Sequence, residues 1–338
     1  MLPLNSENIV TNSISAATAS GAEDSHAQPV VRSLPLPNAI HLGFAKAAST
    51  FLQSYLSSHP QVQLSFKSNF FAPFFDCNYA YGSEQLANPF RHDAMKPVRI
   101  ESDEHMIMPL LHPRLGVRAI TEQSTDQLLD RIGMTVPESK LLLILRNQKD
   151  MLLSTYSQYL LGGGSLDCDQ FAHTLLESDP DGKHYFSMNF SEIIEKIRSR
   201  HQGPLMVLLL EDMKRDSQAA LNQLCTFLEI DSLPYKESFK SRRRGLSIRS
   251  QRILLQLNRF GRLSPDGLYK PRLAQNRGIY HRMCNVLRVI DHVMISRIKR
   301  QPIALRPETI QLIHDRFSAD NRTLGEILGR DLTSLGYA

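Results

Sequence analysis

Three short runs dominated by apolar residues, each followed by a segment of helical spacing, set the limits on what this chain can become. They are Ile40 to Phe44, Lys140-Leu-Leu-Leu-Ile-Leu145 and Leu205-Met-Val-Leu-Leu-Leu210. Each is too short for a helix and lacks the polar alternation of a half-solvated strand, so each reads as a strand buried on both faces. After the first come Leu52, Tyr55 and Leu56 at helical spacing, stopped by Pro60. The second leads into a helix through Met151, Leu152, Tyr156 and Tyr159, which Gly162-Gly-Gly164 ends and turns into a flexible loop. The third, introduced by Pro204, precedes a helix from Ser217 to Leu228. Strand then helix, three times over, predicts an α/β fold with a central parallel β-sheet flanked by helices on both faces.

Smaller elements fill in around these. Val62-Gln-Leu-Ser-Phe66 alternates like a further strand, and the seventy residues after it read as irregular, with many aromatics and prolines. Short helices are expected over Thr125–Ile132 and Ser191–Arg200, and a helix pair from Arg306 onward, closing on Leu328-Gly329. Residues 1–37 are rich in Ser, Ala, Thr and Asn and carry Pro29, Pro35 and Pro37, a composition expected of a disordered tail. A single domain over 38–338 is expected, with ample material for a core in 338 residues.

Between the first strand and its helix stand Ala45, Lys46, Ala47 and Ala48, and Ser49-Thr50 open the helix. A strand, a tight turn and a helix N-terminus make an anion site, because the first-turn N–H groups have no helical acceptor and the helix dipole adds about half a positive charge. Lys46 adds a full charge, and Ser49 and Thr50 add hydroxyl donors. The guest is a phosphate or a sulfate. This is not a Walker A loop, in which the lysine directly precedes Ser or Thr. The competing reading is a buried strand-turn-helix whose lysine merely snorkels.

A second anion grip is expected at the next strand. Arg146 follows that strand at its carboxyl edge, where open α/β sheets bind ligands, and its planar fork can clasp two phosphate oxygens. Ser154 lies about two turns on and can face the same oxygens. The alternative pairs Arg146 with Asp150 and lets Ser154 donate to a backbone carbonyl.

Charge and cysteines narrow the class. Net charge is +5, yet Lys236–Arg306 holds 18 Lys/Arg against 3 Asp/Glu, a local +15 that leaves −10 for the remainder. That basic stretch reads as mostly helical. It suits a polyanion or a set of solvated helix faces. Cys77, Cys168, Cys225 and Cys284 are far apart, without C-x-x-C, so a reduced compartment and no metal site are expected. No run approaches the ~18 apolar residues of a membrane span, and the N-terminus lacks the features of a signal peptide. A cytoplasmic location follows as the expectation.

Gly43-Phe-Ala-Lys46-Ala-Ala-Ser49-Thr50 resembles the phosphosulfate-binding loop of the sulfotransferase family, with Ala48 where the family usually has glycine. Leu143-Ile-Leu-Arg146-Asn-Gln-Lys-Asp-Met-Leu-Leu-Ser154-Thr-Tyr156 resembles the same family's 3′-phosphate segment. Leu208 to Lys214, with Cys225 to Ile230, is similar to its supporting strand and helix, and Asp320 to Leu332 to the ending of bacterial members. The resemblance implies a P-loop-like fold and the co-substrate 3′-phosphoadenosine 5′-phosphosulfate (PAPS), with no metal. PAPS would be held by Lys46, Ala47, Ala48, Ser49, Thr50, Arg146 and Ser154, with Arg244 and Gly245 in a loop over the 3′-phosphate. It implies transfer of a sulfuryl group to a hydroxyl or amine. Arg146-Asn-Gln, Ser154, Tyr156, Gln158-Tyr159 and the triple glycine together resemble bacterial carbohydrate sulfotransferases, which implies a sugar or glycan acceptor.

Such a transfer needs charge stabilisation on the leaving phosphate oxygen and a base for the acceptor proton. Lys46 is the expected stabiliser. For the base, relatives often carry Lys-Glu before a Phe-Phe pair, whereas this chain reads Lys67-Ser-Asn-Phe-Phe71. Glu101 and His105 are the substitutes, against a surface turn whose charges are merely satisfied. His41, Glu211 and Asp212 are expected to be structural. The chain has no tryptophan to stack on adenine, and its phenylalanines and tyrosines stand as candidates with none singled out. Two other classes compete. A small-molecule kinase would need Gly-Lys-Ser/Thr and a magnesium-holding aspartate. A non-catalytic polyanion binder would use the basic stretch, which lacks the aromatic interleaving of nucleic-acid modules.

Overall fold

A computed structural model describes residues 35–66, 90–103, 106–107, 122–177, 188–239, 247–260, 277–294 and 304–337, with only the backbone at 122–124, 260, 277–281, 288 and 292–294. The expected tail falls outside this range except for 35–37, which are tied to the fold. There the Leu36 carbonyl accepts from Arg99 Nε at 2.7 Å and the Pro37 carbonyl from Ser139 Oγ at 2.7 Å.

Strands β1 (Ala39–Gly43), β2 (Val62–Phe66), β3 (Val98–Ser102), β4 (Lys140–Leu145) and β5 (Leu205–Leu209) form one sheet in the order β2-β3-β1-β4-β5. Every neighbouring pair is parallel. All five residues of β1 are buried, as are five of the six in β4, which is why their sequences show no alternation. Helices α1 (Ser49–Ser57), α2 (Glu122–Thr135), α3 (Gln148–Leu161), α4 (Cys168–Glu177), α5 (Phe190–Arg200), α6 (Leu210–Arg215) and α7 (Ser217–Leu228) flank the sheet, followed by α8 (Ile248–Phe260), α9 (Arg277–Met294) and α10 (Pro307–Leu328). This is the P-loop-like α/β architecture expected.

Connectivity positions the site. From β1 the chain moves to β2 at one edge of the sheet, and from β4 to β5 at the other. The exits of these two central neighbours diverge, so a crevice opens between their carboxyl ends, the place where open α/β sheets take ligands. The residues that leave those two tips are the 44–50 loop and Arg146.

Two expectations needed correction. The stretch read as irregular contains β3, which sits between β1 and β2 with Ile100 opposite both Ala39 and Leu64. Its sequence, Val-Arg-Ile-Glu-Ser, looks solvated, yet Glu101 and Ser102 are each 1% exposed because strands cover both flanks. At the C-terminus α10 is a single helix of 22 residues rather than a pair. Gly325 does not break it. Any Cβ there would meet the Arg330 carbonyl at 2.9 Å, so the glycine lets the chain after the Gly329 cap fold back on the helix. Among the described residues no helix is long and apolar enough to cross a membrane.

Candidate active site

The loop after β1 is built as an anion cradle. Gly43 has φ 118°, where the β1–β4 register shifts, and the Phe44 N–H donates to the Ile144 carbonyl at 3.2 Å, holding the loop's first residue against β4. Lys46 (φ 69°) and Ala48 (φ 66°) are both left-handed, a conformation that side chains resist. Left-handed residues next to right-handed ones turn successive N–H groups toward a common point, which makes a nest for an anion. The helical bonds begin with Phe51 and Leu52, both donating to the Ala48 carbonyl at 2.9 and 3.1 Å. Among the described residues the N–H groups of Ala48, Ser49 and Thr50 find no acceptor. Ser49 is 2% exposed and its hydroxyl is buried with no partner either. Burying a hydroxyl without a hydrogen bond costs about 1–3 kcal/mol. An oxyanion in the nest would remove that cost.

Arg146 meets this loop directly. Its Nη1 donates to the Lys46 carbonyl at 3.2 Å, and its Nη2 lies 3.7 Å from Asp150 Oδ2. The Nε is buried with no partner among the described residues. Burial lowers the guanidinium's pKa, while Asp150 and Glu211 act in the opposite direction. The two turns named by the sequence are therefore joined by one side chain. The expected alternative, an arginine spent on Asp150, holds for one nitrogen only.

Ser154 is half-buried on α3. Its neighbours Thr155 and Ser157 donate back to the carbonyls of Met151 and Leu153 at 2.8 and 3.1 Å. The Ser154 hydroxyl does neither, and has no partner among the described residues. Eight residues separate it from Arg146, so it returns to the same side of the helix as Asp150.

Behind Arg146 the support is dense. Asn147 caps α3 by accepting from the Asp150 N–H at 2.9 Å. Its own N–H and Nδ2 donate to Glu211 Oε1 at 3.1 and 2.9 Å, and the Tyr337 hydroxyl donates to Glu211 Oε2 at 3.3 Å. Asp212 takes Arg215 and Arg330. Glu211 and Asp212 are thus structural. Sequence reading missed Asn147 and Tyr337. The signal for the first was an asparagine three residues before an aspartate at a helix start, a capping pattern; for Tyr337 there was none.

The remaining expected residues divide. Glu101 is in β3, paired in register with Ile40 of β1 and Ser65 of β2. It is buried and near the strand's carboxyl end, not in a surface turn. His41 is buried, with Nδ1 2.9 Å from Ser102 Oγ, which also receives Gln53 Nε2 at 3.1 Å. His105, Arg244 and Gly245 lie outside the described residues. The triple glycine is not an open loop. A Cβ on Gly164 would meet the Tyr159 ring at 2.2 Å, the Tyr159 hydroxyl accepts from the N–H groups of Ser165 and Leu166, and Asn258 Nδ2 donates to the carbonyls of Leu160 and Gly164. Tyr156 and Tyr159 are buried with that turn.

One solved structure shares this fold, and two further sulfotransferases match at lower TM-scores. The chain covers nearly all of a sulfotransferase from Alicyclobacillus acidocaldarius (89% of this chain, 99% of that one) with a TM-score of 0.52 at 15% identity. A mouse sulfotransferase complexed with PAP matches with a TM-score of 0.38 at 13% identity, over 87% and 89% of the two chains. The sulfotransferase domain from the curacin biosynthetic pathway matches with a TM-score of 0.36 at 12% identity, over 84% and 98%. Residues 37–252 match the family described as Sulfotransferase domain. That span holds all five strands, the 44–50 loop, Arg146 and Ser154, and the chain therefore belongs to the sulfotransferases, enzymes that move a sulfuryl group out of PAPS.

Proposed function

We propose that the donor lies across the β1–β4 crevice, its 5′-phosphosulfate in the 44–50 loop and its 3′-phosphate against Arg146 and Ser154. The observation that carries this reading is the hydrogen bond from Arg146 to the Lys46 carbonyl, together with two buried donors, Ser49 Oγ and Arg146 Nε, that have no partner among the described residues. The N–H groups of Ala48, Ser49 and Thr50 surround the first anion, whereas the expected contribution of Ala47 falls away because its N–H donates to the Phe44 carbonyl at 3.2 Å, and exposed Thr50 stands at the rim. Arg244 and Gly245, outside the described residues, are assigned to the 3′-phosphate by the resemblance of their segment alone. The co-substrate supplies the sulfuryl group and a stable leaving group, adenosine 3′,5′-bisphosphate. As the acceptor oxygen–sulfur bond forms and the sulfur–phosphate oxygen bond breaks, the electron pair goes to the phosphate. Lys46 and the helix N-terminus of α1 stabilise the charge that develops there.

The acceptor's proton passes to Glu101 or His105. Glu101 has the placement for it, near the carboxyl end of the strand beside β1. The acceptor is a sugar hydroxyl, a reading supported by the likeness of Arg146-Asn-Gln, Ser154, Tyr156 and Gln158-Tyr159 to carbohydrate sulfotransferases and not by the glycine turn, which packs on Tyr159. The test measures sulfate transfer from PAPS to monosaccharides, glycans, a phenol and an amine, with Lys46→Ala and Glu101→Gln alongside the native protein. Transfer should favour the sugars. Lys46→Ala should lower turnover about 10²–10³-fold while leaving the melting temperature nearly unchanged. Near-normal transfer by Lys46→Ala would remove it from the chemistry, and a preference for the phenol or amine would overturn the acceptor class.

A further inference from the structure

The sheet and its crevice make no use of the outer face of α8 and α9. Among the described residues eight large hydrophobic side chains are exposed, and four of them, Ile253, Val286, Val289 and Ile290, are on these two helices. On α9 the three are 56%, 62% and 43% exposed at spacings of three and four, which puts them on one side of the helix. Exposed Arg282 stands one turn earlier on that side. The opposite side is anchored. Cys284 and Asp291 are buried, and Asp291 accepts from the Ser247 N–H at 3.1 Å and the Ser250 hydroxyl at 2.6 Å, pinning the start of α8. The exposed side of α8 reads Arg249, Arg252, Ile253, Gln256.

We propose that this face docks the protein on an anionic lipid bilayer. Aliphatic side chains set among arginines on one helix face match a surface that is negatively charged outside and apolar just beneath. The charge balance agrees. Residues 236–306 carry +15, and Asp291, one of only three acids in that stretch, is spent inward on α8. A soluble polyanion would satisfy the arginines but offer nothing to Val286, Val289 and Ile290, and nucleic acid would call for aromatic stacking in place of aliphatic side chains. A second copy of this chain would bring like charges together across the contact. The inference is independent of sulfuryl transfer and adds that the enzyme works at a membrane surface.

The full chain is sedimented with vesicles of phosphatidylcholine alone or mixed with phosphatidylglycerol. Binding is expected only to the mixed vesicles, and should weaken as salt is raised. The triple change Val286→Ser, Val289→Ser, Ile290→Ser should lower partitioning about tenfold. Arg249→Glu, Arg252→Glu, Arg282→Glu should lower it further, since each cation near such a surface is worth about fivefold. Both sets are at exposed positions, and a thermal melt checks each; if one fails to fold, the other decides. No binding to the mixed vesicles overturns the proposal, as does binding that neither variant weakens. Dimerisation in the absence of lipid that is abolished by the serine variant would overturn it too, by assigning the face to a second copy.

Discussion

Replacing Arg146 tests the proposed donor site most directly. The side chain has three nitrogens in three environments, with Nη1 on the Lys46 carbonyl at 3.2 Å, Nη2 near Asp150 at 3.7 Å, and Nε buried without a partner among the described residues. A 3′-phosphate held by this group gains at least one charge-assisted hydrogen bond, worth about 1.5–3 kcal/mol, which corresponds to roughly 10- to 150-fold in affinity. Isothermal titration with adenosine 3′,5′-bisphosphate should therefore show Arg146→Ala weakened by that factor. Arg146→Lys keeps the charge but not the fork, and should recover only part of the loss. Ser154→Ala removes a neutral hydroxyl donor and should cost about 0.5–1.5 kcal/mol, or roughly two- to tenfold. Lys149, exposed in the first turn of α3, supplies the control. Its replacement by alanine changes the general field but no contact, and should alter affinity by less than about twofold. Unchanged affinity in Arg146→Ala, or an equal loss in Lys149→Ala, would refute the argument, because binding would then follow net charge and not this guanidinium.

Other expectations follow from local geometry. Ala48 is left-handed at φ 66° and ψ 18°, a conformation costing a side-chain-bearing residue about 1–2 kcal/mol, against about 0.4–1 kcal/mol of extra unfolded-state entropy for glycine. Ala48→Gly should therefore stabilise by between about 0 and 1.6 kcal/mol in urea unfolding, and a clear loss of stability would contradict the assigned conformation. Asp320 on α10 caps α5, accepting from the Phe190 and Ser191 N–H groups at 2.7 and 3.1 Å and from the Ser191 hydroxyl. Asp320→Ala should cost about 2–4 kcal/mol, read by the same unfolding experiment, with a loss below 1 kcal/mol counting against the cap. His201 is buried, donates from Nε2 to the Ser139 carbonyl at 2.7 Å, and has its pKa lowered by that burial. The unfolded chain thus takes up a proton that the folded one resists, so this contribution is complete above about pH 6.5 and is lost as pH falls below it. His201→Gln should flatten the stability profile over about pH 5–7, and an unaltered slope would show that His201 does not titrate as described.

Legibility in the sequence followed physical cause. β1 and β4 announced themselves because strands buried on both faces must be apolar throughout, and β5 is as apolar in sequence although its first three residues are only half-buried. β3 did not, since its neighbours bury Glu101 and Ser102 regardless of their polarity. The 44–50 loop was readable from its lysine, small residues and hydroxyls, but nothing in Ala48 foretold a left-handed backbone, a conformation the surrounding structure imposes. Gly162-Gly-Gly164 misled in the other direction. Three glycines suggest freedom, whereas here they allow the backbone to lie against the Tyr159 ring. Contacts between distant segments, such as Tyr337 with Glu211, leave no local pattern for a reader to find.

Tyr337 is 3% exposed, and with Gly336 it lies against the Asn147–Glu211 pair that backs the arginine turn. Tyr337 is in this way a wedge beneath the arginine turn. Tyr337→Ala would reach Arg146 through two intervening side chains, Glu211 and Asn147, whereas alterations to exposed helix surfaces elsewhere would not.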